Sequence, residues 1–232
     1  MFIVNYHTPG YYAYEADRLK ASLRHAGMGD VPQYIVCRNV SSVVPFSSVL
    51  ADGEGGSRWE AATEYKARFI LRCRDYLDGP FLWLDADAVV HEDMRERFER
   101  IEDEADIAVH YLLGSELLTG TLWVNDTEAA WDLLGAWVEM NTMRVADGKP
   151  HGCGQRNLAD VLNPDTVRVE RLEAEYCAIF DHERQRLEMD GPPIIEHLQA
   201  SRVTHWKVPD ARGKRTNRIR EIEAGIASGT RC

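Results

Sequence analysis

A chain of 232 residues, 44% hydrophobic and 28% charged, is long enough for one large α/β domain with a sizeable core. A net charge of −11 excludes a protein that grips nucleic acid over its whole surface, and no apolar run approaches the length of a membrane-spanning helix. Five cysteines without a Cys-x-x-Cys pair exclude a zinc ribbon and point to reduced thiols in a cytoplasmic protein.

Phe2 to Tyr6 reads as a first strand rather than a signal peptide, because no basic leader or long apolar core accompanies it. His7-Thr8-Pro9-Gly10 is the turn that leaves it. Tyr12, Ala16, Leu19, Leu23 and Ala26 recur at helical spacing, and Gly27 ends that helix. Tyr34 to Cys37 is a second strand. Asn39 to Arg58 reads as a long loop whose Gly53-Glu54-Gly55-Gly56-Ser57 lacks the lysine of a phosphate loop. A helix follows from about Trp59 to Leu77, with Phe69, Ile70, Cys73 and Leu77 on one face.

Phe81 to Leu84 is an apolar strand that runs into Asp85-Ala86-Asp87, with Val89-Val90 beyond. Side chains alternate along a strand, so a continuing strand projects Asp85 and Asp87 from one face about 6–7 Å apart. Two such charges beside buried strand repel unless a cation lies between them, which points to a divalent metal site.

The rest continues the alternation. A helix spans about Met94 to Ile101, and strands span Ile107 to Leu112 and Thr121 to Asn125 around a loop at 114–120. Asp126 or Thr127 caps a helix reaching about Asn141, with Trp131, Leu134, Trp137 and Val138 as core anchors. A short helix at Gln155 to Leu162 and strands at Val167 to Leu172 and Ile194 to Leu198 complete the body. The order implies a parallel or mixed sheet in one doubly wound domain. Residues 211–232 carry six Lys/Arg and two Glu, so the preceding body holds 21 basic and 36 acidic residues, net −15. That basic tail reads as solvated chain, or as a clamp over an anionic donor or acceptor. Lying past the metal ligands, it is expected to be dispensable for donor turnover.

Two families place Asp-x-Asp after an apolar strand. Asp85-Ala86-Asp87-Ala88-Val89 formally resembles the haloacid-dehalogenase phosphatase motif, with Asp85 as nucleophile. That motif normally opens its domain and needs a later strand ending in an acidic pair, which this chain lacks. Over most of residues 1–207 the chain resembles a small GT-A glycosyltransferase, near retaining families 8 and 77. The resemblance rests on Asn5 to Tyr11, Tyr65-Lys66-Ala67-Arg68-Phe69, Trp83 to Asp87, Gly120 to Asn125, Gly154 to Leu158 and Glu196 to Arg202. Two departures stand out: Gly154 replaces the usual Asp, and Ala200 the usual Gly without the Lys-Pro-Trp that should follow.

The resemblance implies a GT-A fold with a central mixed, mostly parallel sheet over 1–210, followed by the basic tail. It implies Asp85, Asp87 and His197 as ligands of Mn2+ or Mg2+, with His205 a rival for the third place. It places Thr8, Tyr11, Lys66, Asp85, Ala86, Gly120, Arg202 and Lys207 against a nucleotide-diphospho-sugar, a UDP-sugar for preference. Asp87, Gln155 and Asp181 are the implied catalytic group, with Glu116 a second candidate base. Retention of anomeric configuration is favoured, because no inverting motif surrounds either carboxylate. A phage-encoded enzyme acting on hydroxymethylated DNA is one implied acceptor reading, and a nucleotide-sugar-binding module without turnover is the inactive alternative.

Overall fold

The computed structural model describes residues 1–37, 58–146, 154–201 and 210–230. The loop expected over 39–57 lies outside them. A six-stranded mixed sheet forms the centre. β1 (Phe2–His7) lies between β2 (Gln33–Cys37) and β3 (Phe81–Leu84), parallel to both. β3 pairs antiparallel with β6 (Glu116–Val124), which pairs antiparallel with β5 (Ile107–Leu112), and β7 (Val169–Arg171) closes the edge parallel to β5. The doubly wound mixed sheet is as the sequence implies.

Strand alternation sorts the apolar side chains onto two faces. Val4, Phe81, Trp83, Val109, Leu122 and Val124 face one core, covered by α2 (Arg58–Arg72), α4 (Glu128–Ala146) and α5 (Gly154–Val161). Ile3, Leu82, Leu84, Ala108 and Trp123 face the other, covered by α1 (Tyr11–His25) and α3 (Arg95–Ile101). Trp131, Leu134 and Trp137 are core anchors as their spacing suggests. Thr127 caps α4, its hydroxyl accepting from the Ala130 amide at 3.3 Å. Among the described residues no helix is long and apolar enough to cross a membrane.

Three local features differ from expectation. The chain does not continue as strand through Asp85-Ala86-Asp87. It turns there, the Ala88 amide donating to the Asp85 carbonyl at 2.9 Å. It then enters a second sheet in which β4 (Ala88–Val90) pairs antiparallel with β9 (Ile195–His197), which pairs parallel with β8 (Ala178–Ile179). A single-turn helix, α6 (Glu183–Arg186), follows β8. The expected loop at 114–120 is largely β6, because Leu117, Thr119 and Thr121 point inward with strand period while the turn is confined to Leu113 and Gly114, both at positive φ.

The basic tail is helix α7 (Ala211–Ser228), packed on the body rather than solvated. Its Ile222 is fully buried in a cluster with Val89, Phe180 and Leu198. Arg215, 3% exposed, pairs with Glu15, 2% exposed, at 2.6 Å, and Arg218 pairs with the wholly buried Glu196 at 2.8 Å. Arg212, Lys214 and Arg220 remain exposed.

A buried histidine on β5 ties this frame to pH. The His110 ring donates from Nδ1 to the Leu172 carbonyl at 3.0 Å and accepts at Nε2 from Gln185 of α6 at 3.1 Å, an arrangement that requires the neutral imidazole. Burial pushes its pKa below the ordinary value. The unfolded chain therefore takes up a proton near pH 6.5 that the folded chain refuses, and stability falls as pH drops through that value. The melting temperature should decline more between pH 7.5 and 5.5 in the native protein than in His110→Gln; equal slopes would remove His110 from the account.

Candidate active site

Asp85 and Asp87 flank the crossover between the two sheets, where β3 ends and β4 begins. The Asp85 amide donates to the Gly120 carbonyl at 2.8 Å, which ties the turn to β6. The Asp85 carboxylate receives the Trp83 indole N–H at 2.9 Å and lies 2.6 Å from the Lys66 ammonium, which α2 presents over the Trp83 ring. Lys66 also donates to the Thr119 carbonyl at 3.3 Å. Asp87 is held from the other side: its Oδ2 accepts the Ala200 amide at 2.6 Å, and its carbonyl accepts the Leu198 amide at 3.0 Å.

The β4–β9 register sets Ala88 opposite His197, which brings that histidine to the Asp pair. His197 Nδ1 lies 3.9 Å from Asp87 Oδ1, a charge attraction rather than a hydrogen bond, while Nε2 meets the Thr121 hydroxyl at 2.9 Å. Asp85, Asp87 and His197 can each offer one ligand atom, all within 4.8 Å of one another. Two carboxylates and an imidazole are an oxygen-and-nitrogen donor set that suits Mn2+. The donor set therefore fits a divalent cation. Asp87 and His197 stabilise each other's charged forms. Burial pushes the Asp87 pKa up, but His197, the Ala200 amide and Arg215 together hold it below the ordinary value. Burial pushes His197 down, while Cys177 and Asp87 outweigh this and raise it to about 10.

These residues line a cavity of about 450 Å³. Lys66, Glu116, Gly120 and Gln155 line it as well, so the structure gathers seven of the sequence-derived site residues in one place. Gln155 donates to the Glu116 carboxylate at 2.8 Å across the cavity, and the Trp137 indole N–H fixes the start of α5 through the Gly154 carbonyl at 2.6 Å. Thr8, Tyr11, Ala86 and Asp181 are not among the residues lining the cavity. Thr8 is half-buried in the turn after β1, Ala86 points into the protein, and the Tyr11 hydroxyl is engaged by Arg215. Arg202, His205 and Lys207 lie outside the described residues. Sequence reasoning missed Thr121, which orients the His197 ring, and Cys177 and His182, which line the cavity. The sequence signal for Thr121 was the two-residue period through Leu117 and Thr119.

Gly120 has a steric role. A Cβ built there falls 2.8 Å from His197 Cε1 and 3.0 Å from Nδ1, closer than packed atoms approach. Gly120→Ala should displace the imidazole and weaken Mn2+ binding by about tenfold or more, with a modest change in melting temperature. Unaltered Mn2+ affinity by calorimetry would show that the ring does not need this space.

No family profile and no curated protein matches the sequence. Solved structures do. A glycosyltransferase involved in glycosylation of the major capsid of PBCV-1 superposes with a TM-score of 0.63 at 12% identity, over 93% of this chain and 97% of that one. The glycosyltransferase GlyE of Streptococcus pneumoniae gives 0.58 at 13% identity, over 95% of this chain and 63% of that one. The galactosyltransferase LgtC, solved with donor and acceptor sugar analogs, gives 0.51 at 14% identity, over 94% and 96%. At such identities the likeness shows the fold, which is the GT-A fold of these glycosyltransferases.

Proposed function

We propose that the protein is a metal-dependent glycosyltransferase that moves a sugar from a nucleoside-diphosphate donor, a UDP-sugar, to an acceptor hydroxyl. The observation that carries this reading is the convergence of Asp85, Asp87 and His197 at a cavity of sugar size, within a GT-A fold. LgtC, bound to donor and acceptor sugar analogs, supports a sugar donor by analogy.

Asp85, Asp87 and His197 would hold Mn2+ or Mg2+, which supplies Lewis-acid charge for a departing diphosphate. Lys66 neutralises Asp85 and keeps its carboxylate oriented through the 2.6 Å contact. Gln155 and Glu116, hydrogen-bonded to each other, offer an amide and a carboxylate to sugar hydroxyls. The reaction breaks the anomeric carbon–phosphate oxygen bond and forms a bond from the same carbon to the acceptor oxygen. Among the described cavity-lining carboxylates, Asp85 and Asp87 belong to the metal cluster and Glu116, bridged to Gln155, is assigned to sugar hydroxyls. The acceptor proton then passes to the leaving phosphate, which favours retention.

The acceptor is better taken as a neutral hydroxyl compound than as DNA. Two of the tail's basic residues, Arg215 and Arg218, are consumed in internal pairs, and a chain of net charge −11 disfavours a long polyanionic acceptor. The phosphatase reading is not favoured by the fold. Incubation with a panel of nucleotide-sugars and Mn2+ tests the proposal, because slow donor hydrolysis needs no acceptor. Release of nucleoside diphosphate from one donor, lost in chelator, is expected. Hydrolysis of an aryl phosphate in its place would favour the phosphatase, and donor binding without turnover the inactive module.

A further inference from the structure

Arg215 is a buried charge outside the metal-ligand cluster, 3% exposed. From α7 it reaches three parts of the chain: Nε donates to the Leu198 carbonyl at 2.9 Å, Nη1 to the Tyr11 hydroxyl at 2.5 Å and Nη2 to Glu15 at 2.6 Å. Leu198 directly follows His197, and the amides of Leu198 and Ala200 both donate to Asp87. Arg215 thus holds, by a carbonyl, the turn whose amides hold a candidate metal ligand. Between those amides sits Gln199 at φ 52°, a left-handed conformation that costs energy in a residue with a side chain. Such a residue persists only where its surroundings fix it. Asp87 grips the turn on one side and Arg215 on the other.

We infer that Arg215 is a positioning residue for the metal-ligand cluster, with α7 serving as the brace that fixes the turn at 198–200 against α1. The use of that cluster rests on the glycosyltransferase reading, whereas the brace itself does not. Glu15 is not left alone if Arg215 is lost, since Arg18 pairs with the same oxygen at 2.7 Å. Arg215→Met is therefore a usable probe, and Glu223→Ala is its control, because Glu223 ties the same helix to Arg18 of α1 at 3.1 Å. That substitution loosens α7 against α1 while leaving the contact between Arg215 and Leu198 in place.

The two variants are compared for melting temperature, amide exchange at 198–201 and Mn2+ affinity by electron paramagnetic resonance without donor. After allowance for global stability, Arg215→Met should speed exchange of the Ala200 amide and weaken Mn2+ binding by about tenfold, while Glu223→Ala does neither. Arg215→Lys should recover part of both, because an ammonium can still donate to Leu198, and it carries the comparison should the Met variant not fold. Equal exchange at Ala200 in the Arg215→Met and Glu223→Ala variants overturns the inference. If the native protein binds no Mn2+, the metal reading fails, and the exchange comparison still decides the role of Arg215.

Discussion

Replacing Asp87 with Asn should lower donor turnover by at least about 10³-fold, since the charge stabilisation at stake is several kcal/mol. The substitution is isosteric, and the local contacts state which atom goes where. The Ala200 amide donates to Oδ2, so the Asn carbonyl oxygen must take that place and the NH₂ group must point toward the cation. An amide NH₂ cannot ligate, and Mn2+ affinity falls with activity. The fold should hold, because all three backbone contacts of the turn at 85–88 remain and the β4–β9 ladder is untouched. Calorimetry with Mn2+, a donor-hydrolysis assay and a melting curve on one preparation separate these effects. Full turnover in Asp87→Asn, or in excess chelator, would sink the metal-dependent mechanism. A large fall in melting temperature would mean that Asp87 acts through structure and that the activity loss says nothing about ligation.

Much of the central sheet was legible because its strands are long, apolar and bounded by turn residues. Phe81-Leu82-Trp83-Leu84 divides its side chains between two cores, which is why it reads as a continuous apolar run. The second sheet was not legible as a unit. Its strands hold two or three residues each, and pairing between Ala88 and His197 spans a sequence separation that no local pattern encodes. That pairing decides the site: Asp85 and Asp87 converge through a turn between sheets, not through alternation along one strand. His197 could be named from the sequence only by resemblance. Gly120 read as a small residue lining a sugar pocket, and its closest neighbour is the imidazole it makes room for.

The C-terminal segment shows the opposite failure. Composition marks it as basic, and a basic run is usually solvated. Its period tells otherwise: Arg215, Arg218, Ile222 and Ile226 recur at three- and four-residue spacing, one face of a helix. What the period cannot supply is the partners, Glu15 and Glu196, which lie some 200 and 22 residues away in sequence. A buried arginine with a buried glutamate is a pair only when the fold is known.

Truncation after Asp210 should therefore abolish activity together with stability, contrary to what a dispensable tail implies. Removal of α7 leaves Glu196, wholly buried, with His91 as its remaining side-chain partner at 3.0 Å. Breaking a buried pair from one side costs about 3–5 kcal/mol, because the other charge stays desolvated. Loss of Ile222 from its cluster adds about 1.5–3 kcal/mol. Against a typical total stability of about 5–15 kcal/mol this is a large share, equivalent to a fall of roughly 10–30 °C in melting temperature at this chain length. A second variant tells this mechanism from simple loss of surface. Glu196→Gln in the truncated chain replaces the stranded charge with an amide, and should restore part of the lost melting temperature. The same change in the full-length protein removes the buried one of the two carboxylates paired with Arg218, and should lower it. A truncated chain that melts like the native protein would show that the buried pairs of α7 carry no stability. A Glu196→Gln change that helps neither chain would assign the loss to apolar packing around Ile222.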